Sequence, residues 1–407
     1  MKKLIFACAM LTIGSAMFAQ KSNIIKADFD LKEGLQDIKK INYEKVDKAW
    51  EEIQLALSNP KTEKDPEAWS IAAHIKEVYA SRIYGQKALT GELDTIAYFD
   101  EILNVAQYYS NYDKYLHTPN AKGKLPDLKE LQKGRNTAQQ KAIGPRNQML
   151  QAGSILTQSH PEKSIEYLDY YFKSFDDPMF ADYALRETDS LQNDANLYYA
   201  MALKTLAKTP EDTLKYISYY EKGIKSEKYG TLACDEIMRT YKNLGNMDKW
   251  AEYCQYGIDN FPGEKYFPQQ LLSYQLNNNK KEEAMKTCKV LMEKYPTDDY
   301  AFFTYGQLLF NEGKYAEALE AFNKSSEVNP NNAENWFSCG LCNWKFALDN
   351  RTNVEKCKGY INAAIPFFKK AEELAPERSE LWGDPLYQAY TLLKQPNLAA
   401  PYKQYKK

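Results

Sequence analysis

The sequence predicts an all-α protein, an α-solenoid of antiparallel helix pairs stacked one on the next. Three observations carry that expectation. Prolines close successive helical patterns at Pro262, Pro296 and Pro330, the same interval both times, and a fixed period of that length marks stacked helix pairs. Composition is helical: 18 Gly and 17 Pro among 407 residues are modest, Ala, Leu, Lys and Glu are plentiful, and β-branched runs are few. A chain of this length exceeds the usual single domain, so it holds two domains or one array of units, and composition favours the array.

Residues 1–19 read as a secretory signal. Lys2 and Lys3 precede an apolar stretch from Leu4, with Gly14, Ser15, Ala16 and Ala19 near its end. A cut after Ala16 meets the small-residue rule better than one after Ala19, which puts Met17 at a small-residue position. The mature chain is expected to start near Gln20, to work outside the cytoplasm, in the periplasm or otherwise exported, and to keep no transmembrane span. The alternative is a membrane anchor, through an uncleaved signal or lipid on Cys8, which Phe6 and the early position fit poorly. Formal net charge is −2, and −4 once the segment Met1–Ala19, with its two lysines and no acids, is removed. That gives no field to draw in nucleic acid or an anionic membrane, and both are discounted as partners.

Residues 20–145 are expected to form a divergent helical region. Val46–Leu57 and Ala68–Ala80 are amphipathic, with Trp50 and Trp69 as apolar anchors; the tyrosine-rich helix Thr95–Tyr115 follows. Next come a loop-rich piece, HTPNAKGKLPDLKE, and KAIGPRN, where Gly144 and Pro145 suggest a domain hinge. Residues 146–378 are expected to form the repeat array, starting with helix pairs from Arg146 and from Ala195. The segments from Thr231, Lys265 and Asp299 then fall into register on the proline period. A fourth, from Ala333, carries about one extra dozen residues between Lys345 and Tyr360, since Pro376 follows Pro330 at a longer interval than the others. Such an insertion belongs at the surface. Residues 379–407 are expected to be capping helices with a lysine tail.

Within the period each residue class has a mechanical role. Gly306 and Gly340 on first helices, with Ala284, Ala318 and Ala364 on second helices, permit close approach. Cys254, Cys288, Phe322 and Phe368 recur where a side chain fills space against the next unit. The closing proline cannot extend its helix and turns the chain at a fixed point. Met238 and Trp250 are bulky where small residues are expected, so the pair from Thr231 should be splayed or shifted.

Phe302, Tyr305, Gly306, Leu309, Ala318, Phe322, Ser325 and Pro330 form a pattern that resembles the tetratricopeptide repeat family. The resemblance implies a right-handed superhelix whose first helices line a concave groove. Carried over position by position, it makes Tyr266, Tyr300, Phe303, Gln307, Phe310, Phe337, Leu341 and Trp344 candidate binding residues, with Glu334 at another groove position. Members that grip a chain-end carboxylate use Lys, Asn and Arg at these sites; the third and fourth units have none there, so an acidic tail is not expected. An aromatic stripe equally suits helix packing. As a surface it would hold an apolar or extended peptide, or stack on sugar rings.

No catalytic, cofactor or metal site is expected. His74, His117 and His160 lie on separate elements, and neither a phosphate loop nor a nucleophile elbow is present. Beyond Cys8 there are six cysteines, and Cys339-x-x-Cys342 places two thiols on adjacent helical turns. Core thiols are favoured because Cys254, Cys288 and Cys339 fall on packing positions; Cys342 to Cys357 is the most plausible bridge. The expected function is a non-catalytic scaffold of the bacterial envelope that binds another envelope protein or peptide segment. The alternative is a glycan-binding helical-repeat protein of a polysaccharide uptake system; the lipobox near residue twenty and large loop insertions of such lipoproteins are missing here.

Overall fold

The computed structural model describes residues 21–37, 39–120 and 123–406, so the expected signal segment and Cys8 lie outside it. The chain divides into two compact units, Met1–Glu236 and Ile237–Lys407. Among the described residues every regular element is an α or 3₁₀ helix, the all-α fold of helix pairs that the sequence predicts.

The first unit holds α1 (residues 21–34), α2 (Tyr43–Leu57), α3 (Pro66–Thr90), α4 (Thr95–Leu116), α5 (Leu128–Leu156) and α6 (Pro161–Lys173). A single turn, α7 (Leu185–Thr188), precedes α8 (Gln192–Leu206) and α9 (Pro210–Gly223). Helix starts are set by side-chain acceptors: Asp94 receives Ala97 N–H at 3.0 Å, Asp127 receives Glu130 N–H at 2.8 Å, and Thr209 and Asp212 form a reciprocal capping box. α3 ends at Gly91, whose φ of 81° is the left-handed conformation that closes a helix.

The hinge expected at Gly144 and Pro145 is absent, because α5 runs unbroken through both. Pro145 forfeits one N–H bond, but the residue before it is glycine, which has no Cβ to strike the proline ring. Ala138, Ala142, Arg146, Met149 and Gly153 are buried at spacings of three and four across the proline, so one packed stripe holds the helix together. Gly153 faces Leu168 of α6, where a Cβ would come within 2.4 Å.

Helix α10 (Gly230–Asn243) crosses into the second unit, which continues with α11 (Met247–Asn260), α12 (Tyr266–Asn277), α13 (Lys281–Lys294), α14 (Asp299–Asn311) and α15 (Tyr315–Val328). Then come α16 (Ala333–Asp349), α17 (Val354–Leu374), a 3₁₀ turn Ser379–Leu381, α18 (Gly383–Leu392), α19 (Pro396–Ala399) and a final 3₁₀ stretch Ala400–Tyr405. Pro262, Pro296, Pro330 and Pro376 each stand just past a helix end, after the capping residues Phe261, Tyr295, Asn329 and Ala375.

The turns inside the pairs repeat as strictly as the prolines. Gly245, Asn279 and Gly313, spaced on the proline period, all have positive φ (72°, 55° and 77°). In each case the next N–H bonds back across the helix end: Asn246 to Tyr241 O (2.9 Å), Lys280 to Gln275 O (2.8 Å), Lys314 to Leu309 O (3.0 Å). This is a Schellman closure. Lys394 (φ 57°) and Gln395, bonded to Tyr390 O at 2.9 Å, reproduce it in the cap, which is therefore a shortened further pair.

The extra dozen residues of the fourth unit do not form a surface loop. They lengthen α16 to 17 residues and α17 to 21, against 13 and 14 for α14 and α15. Gains of four and seven residues are close to one and two whole turns, so the apolar face keeps its direction. At the base of the added turns Ala347 of α16 and Ile361 of α17 pack with Ala389 of α18.

Candidate binding pocket

The site lies in the second unit, and glycine sets its floor. A Cβ on Gly306 would meet the Phe322 ring at 2.7 Å, and one on Gly340 would meet the Phe368 ring at 2.5 Å. Both rings are buried under the first helices. The partner of Gly306 is therefore the Phe322 ring, while Ala318 packs nearby with Leu309, Cys339 and Cys342. Phe303 rests on Phe322 (ring centroids 5.6 Å) and Phe337 on Phe368 (6.0 Å), which leaves both upper rings half-buried.

Phe303, Gln307 and Phe310 share one face of α14 at helical spacing, as do Glu334, Phe337 and Leu341 on α16. The two faces meet over a cavity of about 490 Å³, completed by Asn311, Ser338, Phe322 from α15 and Leu381 from the 3₁₀ turn. Five of the eight candidate residues are brought together here: Phe303, Gln307, Phe310, Phe337 and Leu341. Tyr266 and Tyr300 are exposed and do not line it. Trp344 turns away instead, half-buried in the clusters that α16 and α17 make with the cap.

Glu334 is, among the described residues, the one ionisable side chain lining the cavity. Its Oε1 receives Arg378 Nη1 at 2.8 Å, and Arg378 Nε donates to Glu380 Oε1 at 3.0 Å. These carboxylates, Glu334 foremost, raise the pKa of the guanidinium. Lys345 stands 5.9 Å from the Phe310 ring centroid. The lining thus offers aromatic rings, two side-chain amides, a hydroxyl and one carboxylate: groups that hold a ligand. Phe322 reads from the sequence only as packing. Leu381 lies outside the repeat period, and no sequence signal marks it.

Cys288, Cys339 and Cys342 are buried, and burial pushes each thiol up to about 12. Cys342 and Cys357, the pair most open to a bridge, are both free thiols, as the favoured core-thiol reading has it. Cys342 precedes the end of α16 by seven residues and Cys357 follows the start of α17 by three, so they are offset by about 6 Å along the helices. Among the described residues no group of three or more His, Cys, Asp or Glu side chains is placed to hold a metal ion.

Residues 306–345, from Gly306 on α14 to Lys345 on α16, match the family model described as TPR repeat. That stretch of the chain is a tetratricopeptide repeat. Such repeats serve in general as protein-binding scaffolds, and the matched span includes most of the pocket. Similar solved structures include MamA, at 18% identity and TM-score 0.32, over 46% of this chain and 96% of that one. Another is YrrB, described as a TPR protein with an unusual peptide-binding site, at 17% and 0.31 over 49% and 94%. A third is the C-terminal part of a TPR repeat-containing protein from Cytophaga hutchinsonii, at 16% and 0.37 over 62% and 92%. Among curated proteins none matches the chain.

Proposed function

We propose that this tetratricopeptide-repeat protein is a non-catalytic scaffold of the bacterial envelope that binds another protein, or an extended peptide segment of one, through the α14–α16 pocket. The observation that carries the reading is the convergence of repeat-face side chains from two successive first helices on one aromatic cavity. A row of fixed rings gives apolar contact at low entropic cost, and flanking amides can bond to a peptide backbone. The envelope assignment rests on the signal-like segment Met1–Ala19 alone. No helix among the described residues is long and apolar enough to cross a membrane.

A photo-crosslinking residue placed at exposed Gln307 tests the site, with one at exposed Glu320 on α15 as control. Cross-linked products are expected from position 307 and not from 320. Equal yields at both positions, or none at 307, reject the pocket. Comparing precursor and mature masses, with and without palmitate labelling, tests the compartment. A mature chain starting near Gln20 without lipid is expected, and an uncleaved chain contradicts it.

A further inference from the structure

The first unit holds a cavity of its own, built from helices outside the matched repeat. It lies between α3, α4 and α5 and has a volume of about 440 Å³. Ala80, Ile102 and Val105, all buried, form its floor. The half-buried Tyr98 ring stands 5.8 Å from the exposed Tyr84 ring, and the two make an aromatic wall. Polar side chains around this wall are engaged within the protein. Tyr98 donates its hydroxyl to Gln148 Oε1 at 3.1 Å, Ser81 donates to Glu77 O at 2.9 Å, and Lys141 Nζ meets Glu77 Oε2 at 3.1 Å. One backbone acceptor differs. Pro145 has no N–H to give the Lys141 carbonyl four residues back, so that oxygen lacks its regular helical donor, and both residues of the missing bond line the cavity.

We infer that this cavity binds an indole ring, which donates its N–H to the Lys141 carbonyl and rests against Tyr84 and Tyr98. The choice follows from the donors and acceptors present. Floor and wall call for a flat apolar body, the volume suits a small-molecule site, and the group left to satisfy is an acceptor. Indole carries one donor and no acceptor. A phenol or a carboxylate would bring an oxygen that wants a donor, and those of Tyr98, Ser81 and Lys141 are engaged. The Tyr84 hydroxyl accepts as readily as it donates. Gly85 keeps the mouth open, since a Cβ built there meets nothing within 4 Å. Pro145, which sits inside α5 without ending it, thereby gains a use: it leaves a helix carbonyl available to a ligand. A free indole compound and the tryptophan side chain of a partner share this chemistry, and the test separates them. The site stands apart from the α14–α16 pocket and does not depend on it.

The test uses the full chain and saturation-transfer NMR titrations with indole, N-methylindole and the peptide Gly-Gly-Trp-Gly-Gly. Indole should bind about three- to tenfold tighter than its methylated form, the worth of one hydrogen bond. Pro145→Ala, which restores the N–H, should close that gap and leave N-methylindole as it was. Gly85→Leu puts a side chain into the open mouth of an exposed helix position, favours the helix, and should block all three ligands. An unchanged far-ultraviolet spectrum checks that both variants fold. Tighter binding of the peptide than of indole assigns the site to a protein partner, and tighter binding of indole assigns it to a small molecule. Equal affinity of indole and N-methylindole for the wild type overturns the inference, as does undiminished binding to Gly85→Leu or no binding of indole or the peptide.

Discussion

Replacing Gly306 by alanine probes the contact on which the pocket floor rests. The new Cβ would lie 2.7, 2.8 and 3.1 Å from three atoms of the Phe322 ring, which is itself 2% exposed. Alanine favours the helix by about 1 kcal/mol. Overpacking a closed core costs about 1–3 kcal/mol, and three ring atoms on a buried side chain place this site at the upper end. The net loss should be about 1–2 kcal/mol, felt by α14 to α16. Gly359, exposed on α17 with nothing within 4 Å of a built Cβ, is the control, and Gly359→Ala should stabilise by about 0.5–1 kcal/mol. Peptide-resolved hydrogen exchange reads both locally, since about 1.4 kcal/mol is about tenfold in protection. Adding Phe322→Leu to Gly306→Ala should give a loss smaller than the sum of the single losses by about 1 kcal/mol, because the clash and its cause go together. A Gly306→Ala chain as protected as the wild type would refute the reasoning, for the approach would then be slack.

In the first unit Arg146 is 1% exposed; it pairs with Asp189 at 2.7 Å, donates Nε–H to Ser174 at 2.7 Å and lies against the Tyr171 ring. Asp189→Ala strands that charge and should cost about 3–5 kcal/mol, while Arg146→Met with Asp189→Leu should recover much of it; urea midpoints decide, and a loss under about 1 kcal/mol for Asp189→Ala contradicts the buried pair. Iodoacetamide at pH 8 should label half-buried Cys357 well before Cys288, Cys339 and Cys342, each with about one thiol in ten thousand ionised at that pH. Comparable native labelling of all four, or an oxidised mass for a Cys342 to Cys357 bridge, counts against that arrangement. These three buried thiols, raised from about 9 to about 12, bind protons more tightly folded than unfolded. Their contribution is complete below pH 9 and lost as pH rises toward 12, so stability of the second unit should fall across that window; no change there in the urea midpoint would oppose it.

Most of the second unit was legible before folding because its determinants are local and periodic. Proline stops, left-handed residues at 245, 279 and 313, and asparagine or aspartate caps act within a few residues of where they stand. The same period placed Phe303, Gln307 and Phe310 on one helix face and Glu334, Phe337 and Leu341 on the next. What depended on distant partners was not legible. Pro145 reads as a break until the stripe from Ala138 to Gly153 finds its neighbours. The dozen residues after Lys345 read as a surface insertion, and they are mostly exposed, but they extend α16 and α17.

In the proline-spaced pairs the amino-acid order by itself determined where helices stop and which side chains share a face, because these follow from backbone sterics and spacing along one chain. Tertiary structure alone decided which of those faces became a pocket. It turned Trp344 into packing, brought Leu381 and Arg378 to the rim, and kept Cys342 apart from Cys357. Each outcome depends on residues that meet only after the pairs have stacked.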